Sequence, residues 1–270
     1  MTRTLMLVLV LWTSGGTAVA QYRGPRSADY LFGTSARGSR ASWVNPAALG
    51  TTAEASIMIE GFVQRDAAGD YPLAQYTIGF SSRGFAFGYR RDRFRGVDGG
   101  NTWRVAIGRG VGRLAVGAGF SMYGGSQQAI DLGFRYQLAS TLGLAVKVDN
   151  ILQPQVRDSS LRFGGTAGIG WTPFRSIGID VETRGNDEQG SGGLLLASRV
   201  GLRIAIPTRL PLLLTGVLDL DDGFSPTRLL VGLSLGGDYQ LSAVADGSRL
   251  PSGDVFSGVS VVGEARKRLR

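Results

Sequence analysis

From about Glu54 to the C-terminus, bulky apolar residues recur at every second position, with Gly, Ala, Ser or a charge between them. The clearest stretch is Gln128 to Leu138. There Ile130, Leu132, Phe134, Tyr136 and Leu138 share one face, while Asp131, Gly133, Arg135 and Gln137 share the other. A period of two places alternate side chains on opposite faces of a strand, so each strand meets two different environments. A whole chain of such strands behind an export signal is most simply a membrane β-barrel, with lipid outside and a polar lumen inside.

The export signal is read from residues 1–20. Arg3 precedes an apolar run from Leu5 to Trp12, and Ala18-Val19-Ala20 gives the small-x-small site a signal peptidase accepts before Gln21. That run is well short of the roughly 20 residues a spanning helix needs. The stretch from Leu210 to Leu220 is broken by Pro211, Thr215 and Asp219. With no Cys there is neither a lipoprotein anchor nor a disulfide framework. With no His the usual general base and commonest metal ligand are missing, and no nucleophile with a base or metal constellation is found; the chain is read as a non-enzyme that needs no cofactor.

The formal charge of +8 does not point to nucleic acid, because the basic residues are scattered and only Arg266-Lys267-Arg268 with Arg270 cluster. Nearly all of that charge is Arg, whose planar fork suits pairing with carboxylates in a lumen or with the phosphates of lipopolysaccharide. Outer-membrane lipid and lipopolysaccharide are therefore expected partners.

The second face of the strands is small. Ala115, Gly117, Gly119 and Ser121 oppose Leu114, Val116, Ala118, Phe120 and Met122, and Gly164, Thr166, Gly168 and Gly170 oppose Phe163, Ala167, Ile169 and Trp171. A soluble sandwich would place bulk inside and Thr, Lys or Glu outside, whereas a crowded lumen or plug contact favours this smaller face.

The connections give a second signal. Short turns near Ser82-Arg83-Gly84, 109–113, 138–141, 172–176, 207–211 and 236–238 alternate with longer polar loops at 65–72, 92–101, 123–128, 150–160, 184–193, 221–226 and 246–254. Outer-membrane barrels have tight periplasmic turns and long outward loops, which predicts about fourteen antiparallel strands with both chain ends in the periplasm. Strands near 208–220 and 256–264 alternate poorly. The basic end predicts either a final strand stopping near Ala265 with a periplasmic tail or a different last strand.

Residues 21–53 do not alternate and read as a leader or a plug, ahead of a barrel over 54–270. Here Asn45-Pro46-Ala47-x-Leu49, just before the first strand, resembles the N-terminal hatch signature of the outer-membrane long-chain fatty acid transporter (FadL) family and its relatives PorV and PorQ. Val146 to Leu152 followed by Leu161 to Gly165 also resembles a mid-barrel stretch of the PorV branch. The resemblance covers the hatch directly and the remainder by architecture.

The resemblance implies an all-β fourteen-stranded transmembrane barrel plugged by its N-terminal segment, in the outer membrane of a Gram-negative-type bacterium. Two functions follow from it. One is passage of small hydrophobic or amphipathic compounds; the other, as in the PorV and PorQ branch, is a non-transporting role beside secretion components. A purely structural barrel is a third reading. The family also departs here: its barrels are longer in their outward loops, and barrels generally end in an aromatic residue read by the insertion machinery.

If strand phase is kept, the lumenal charges include Arg104, Asp131, Arg135, Lys147, Asp149, Arg162, Asp180, Glu182, Arg199 and Arg203. They are expected either to pair across neighbouring strands or, through Arg135, Arg162 and Arg199, to form a basic ladder for an acidic head group.

Overall fold

The computed structural model describes residues 26–269 apart from 52, 67, 94–99, 125, 157–158, 188–193 and 249–255, so the expected signal peptide lies outside the described residues. The strands are β1 (Glu54–Gln64), β2 (Leu73–Ser82), β3 (Phe85–Asp92), β4 (Asn101–Val111), β5 (Leu114–Tyr123), β6 (Gln127–Ala139), β7 (Leu142–Asp149), β8 (Gln155–Val156), β9 (Ser159–Ser160) and β10 (Gly164–Phe174). They continue as β11 (Ile177–Asp187), β12 (Leu194–Ile206), β13 (Leu212–Leu220), β14 (Pro226–Leu235), β15 (Tyr239–Ser248) and β16 (Gly258–Arg268). All but the small β8–β9 hairpin close into one antiparallel barrel of fourteen strands, β1 sealing against both β2 and β16. No helix among the described residues is long and apolar enough to cross a membrane.

Phase is kept around the ring. In β6, Leu132, Phe134, Tyr136 and Leu138 are exposed on the outside while Ala129 and Asp131 are buried within. In β1, Ile57 and Ile59 face out while Ser56, Met58, Glu60 and Phe62 are buried. Exposed Ile, Val, Leu, Phe and Trp on almost every strand form a continuous apolar belt, the surface a bilayer requires and water does not tolerate. This is a transmembrane β-barrel, and its backbone groups are satisfied by closure.

Both barrel ends of the chain lie at the end carrying the short turns, since Glu54 pairs with Arg268 and Ala55 with Ser82. The expected basic tail does not hang free. β16 runs to Arg268, with Arg266 opposite Ser56 and its Nη2 donating to Gln240 Oε1 at 2.6 Å. Polar partners from β1 and β15, distant in sequence, make room for these cations inside the ladder.

Two connections also differ from expectation. The link expected over 123–128 spans only 124–126, and the loop after β7 carries β8 and β9. Arg162 was expected in a strand, but β10 begins at Gly164; Arg162 sits half-buried in the connection, its carbonyl accepting from Asn150 Nδ2.

Residues 26–51 thread the lumen. The helical turn Ser27–Tyr30, a 3-10 turn Gly38–Arg40, the helical turn Ala41–Val44 and a 3-10 turn Pro46–Gly50 are almost wholly buried. Arg26 lies at the end with the long connections, its backbone N–H donating to Gln75 Oε1 and its Nε to Ser260 Oγ. Thr51 leaves at the short-turn end, next to β1. The segment therefore crosses the barrel from one end to the other; the N-terminal end of the chain, whose side the sequence expectation concerned, lies outside the described residues.

Candidate functional site

The hatch is built on the motif Asn45-Pro46-Ala47-x-Leu49. Asn45 is extended, its Oδ1 accepts from Ala47 N at 3.0 Å, and Pro46 opens the 3-10 turn that follows, as its fixed φ and missing donor allow. Asn45 Nδ2 donates to the carbonyls of Phe134 and Val146, tying the motif to β6 and β7. Ala47 is buried, and Ala48 and Leu49 pack with Val44, Ala41 and Ala36 against Ala86 and Ala106 of the wall.

The wall beneath this motif is glycine. Gly108, Gly117 and Gly133 are direct cross-strand neighbours in β4, β5 and β6. A Cβ on Gly117 would overlap the Pro46 carbonyl carbon, one on Gly133 the Asn45 side-chain oxygen, and one on Gly108 would sit 2.5 Å from Pro46 O. On Gly88 of β3 a Cβ would lie 2.6 Å from the Trp43 ring. The small inner face is thus a socket for backbone-to-backbone contact with the hatch.

Arginines from the wall then hold hatch carbonyls. Arg104 Nε donates to Ser42 O, Arg135 to Thr34 O and Ala36 O, and Arg199 to Ala28 O and Leu31 O. Acidic wall residues take hatch donors: Glu182 accepts from Gly33 N, Asp180 from Thr34 Oγ1, and Glu60 from Ser27 and Tyr30. Ion pairs complete the fastening, Arg40 to Glu264 at 2.6 Å, Arg26 to Asp246 at 3.2 Å and Arg228 to Asp29 at 3.3 Å.

Each lumenal candidate from the sequence can now be placed. Asp180 bridges Thr34 and Arg203, and Lys147 pairs with Asp149. Arg104 pairs with Asp131 at 2.7 Å, and Arg199 with Glu182 at 3.7 Å. A ladder of Arg135, Arg162 and Arg199 is not assembled, because Arg135 and Arg199 grip the hatch backbone and Arg162 lies in a connection. Sequence reasoning missed Glu60, Arg90, Asp92, Asp246 and Glu264, all buried inward. It also missed an apolar inner patch of Val217, Leu230, Val244 and Val262 against Tyr30 and Phe32, where a wholly polar lumen was expected. For Glu60 the available signal was its even spacing from Glu54 and Ser56, with Ala55, Ile57 and Ile59 on the alternate positions.

Three cavities beside the hatch are lined by described residues. One of about 270 Å³, towards the long connections, is lined by Trp43, Asn45, Arg104, Asp131, Lys147 and Asn150. A second of about 420 Å³ reaches the short turn at Gly112 and Arg113. The largest, about 870 Å³, lies between the hatch and β12–β15 and reaches the turns at 175–176, 207–211 and 236–237. Leu31, Leu213, Val244 and Ile206 give it apolar walls, and Arg37, Arg40, Arg203 and Arg266 point cations into it. Its described lining contains no Asp or Glu.

No protein-family model matches the chain, and no curated protein does either. Solved structures do match in fold. The toluene transporter TbuX of Ralstonia pickettii aligns at TM-score 0.58 with 13% identity, over 92% of this chain and 98% of that one. The monoaromatic hydrocarbon channel CymD aligns at 0.56 with 10% identity, over 86% and 93%. A Pseudomonas aeruginosa FadL homologue aligns at 0.54 with 9% identity, over 86% and 94%. With a closed fourteen-stranded barrel and a helical segment buried in its lumen, the chain has the FadL-like outer-membrane barrel fold.

Proposed function

We propose that this barrel sits in the outer membrane and passes small hydrophobic or amphipathic compounds inward along the wall formed by β12–β15. The observation that carries the reading is the 870 Å³ cavity, whose apolar wall faces the guanidinium groups of Arg37, Arg203 and Arg266 and which reaches the short-turn end. Its size is that of a small-molecule site. An apolar body would lie against Leu31, Leu213 and Val244, and an acidic head would meet Arg37 and Arg203. The fold neighbours whose names carry toluene and monoaromatic hydrocarbons support an apolar cargo.

With residues 26–51 running buried across the lumen, passage on this reading needs a displacement of the hatch on the cavity side. Cells lacking their own hydrophobic-compound porins and expressing this chain would be assayed for uptake of radiolabelled toluene and decanoate. The expected result is uptake above the empty-vector strain, lost when Ser234→Trp fills the cavity. Background uptake with the barrel present in the membrane would overturn transport and favour the secretion-support or structural reading.

A further inference from the structure

The outer surface of β2–β5 carries an arrangement that the lumen does not explain. The rings of Tyr76, Tyr89, Trp103 and Phe87 form a chain across three neighbouring strands, with centroids 6.0, 4.5 and 5.6 Å apart in that order. Below them Phe87, Trp103, Val105, Phe120 and Met122 line an apolar groove of about 300 Å³ on the face that meets lipid. The register fixes how these parts stack. Tyr76, Arg91 and Asn101 are cross-strand neighbours in one row; Ile78, Tyr89, Trp103 and Met122 form the next; Phe80, Phe87, Val105 and Phe120 the one after.

Arg91 is therefore two residues, ~7 Å, above the top of the groove on the long-connection side. Its Nη1 donates to Asn101 Oδ1 at 2.9 Å, and the Tyr89 hydroxyl donates to the same oxygen at 2.8 Å. Arg93, exposed one step beyond the strand, holds its guanidinium 5.9 Å from the Tyr76 ring. Two oriented guanidinium groups over an aromatic shelf, with an apolar groove running down from it, match a lipid with a phosphate at its head and acyl chains beneath. Tyr and Trp favour this depth because their rings are apolar and their polar edges stay wet. Arginine takes phosphate oxygens bidentately.

We infer that this face binds one phosphorylated glycolipid of the lipid A type, its phosphate on Arg91 and Arg93 and one acyl chain in the Trp103–Phe120 groove. The assignment to the outer leaflet rests on the outer-membrane reading above, with the long connections outward. The lumenal arginines play no part in it.

The test is native mass spectrometry of the detergent-purified barrel titrated with bisphosphorylated lipid A, with phosphatidylglycerol and fully dephosphorylated lipid A as competing probes. One lipid A per barrel is expected, with Arg91→Gln/Arg93→Gln lowering the bound fraction about tenfold, the weight of one or two charge-assisted contacts. Trp103→Ala/Phe120→Ala should lower it while leaving the phosphate preference intact. Heat-shifted migration on gels establishes that each variant has formed its barrel. Equal binding by the arginine variant, or equal binding of the dephosphorylated lipid, overturns the inference in favour of adhesion to the apolar belt; equal binding of phosphatidylglycerol overturns the assignment to the glycolipid. Retention of lipid A by a barrel that takes up no solute would separate this inference from the transport reading, which would then fail alone.

Discussion

The hatch meets two different walls. Against β3–β7 it is fitted by shape, with Pro46, Asn45 and Trp43 resting on Gly117, Gly133 and Gly88. Against β13–β16 and β1 one apolar contact, Tyr30 and Phe32 on Val217, Leu230, Val244 and Val262, is joined by polar fastenings at separate points, Arg40 to Glu264, Arg26 to Asp246 and Glu60 to Ser27 and Tyr30. Between those points and β12–β15 the 870 Å³ cavity remains. Contact by shape fails with any added atom, whereas contact by point charges can open on one side and leave the other seated. The difference identifies which flank of the plug can give way.

The largest expected effect is on the charged flank. Arg40→Leu removes the 2.6 Å partner of the buried Glu264 carboxylate, leaving it only Arg266 at 3.9 Å, and should lower unfolding stability by about 3 kcal/mol. Adding Glu264→Leu should recover most of that loss, as both charges are then gone. Thermal unfolding in detergent reads both values, and a mild single variant would mean that charge does not hold this flank.

Next comes the glycine socket. Gly117→Val places atoms where the Pro46 carbonyl lies and should cost about 1–3 kcal/mol. It should also make the hatch cleavable by added protease while the strands stay resistant. Retained protection would show that the wall yields instead of the plug.

A smaller loss is expected from Asn45→Ala, which removes the bond to Ala47 N and two bonds to wall carbonyls. About 1–2 kcal/mol is the scale for such a cap. The smallest effect belongs to Gly263→Ala on the lipid face, where a Cβ meets nothing within 4 Å. That substitution should stay within about 0.5 kcal/mol of the parent. Its contrast with Gly117→Val separates glycines kept for the hatch from those merely tolerated.

Barrel and strand phase were legible because lipid and lumen impose opposite demands on alternate residues, as in Ile130 to Leu138. Asn45-Pro46 was legible as a bend. The reason for glycine on the inner face was only half legible: Gly108, Gly117 and Gly133 become one row through cross-strand register, which no single stretch of sequence displays. The inner patch at Val217 was hidden because Leu212 to Leu220 is apolar on both faces, so nothing marked inside from outside. Arg266 and Arg268 resembled a solvated tail because Gln240 and Glu54, which lie beside or opposite them, come from other strands. Arg135 and Arg199 were placed inward, but carbonyl acceptors on the hatch carry no sequence mark.

The central claim is that the hatch stays seated on the glycine side while a ligand passes the β12–β15 side. The chain has no Cys, so Gly33→Cys/Ala145→Cys ties the hatch to β7 through a pair whose Cβ atoms would lie 3.1 Å apart, within a few tenths of an ångström of disulfide range. Uptake of labelled decanoate by cells carrying this pair, compared oxidised and reduced, is the direct measurement. Equal uptake in the two states is the expected result; uptake that vanishes on oxidation and returns with reductant would contradict the account.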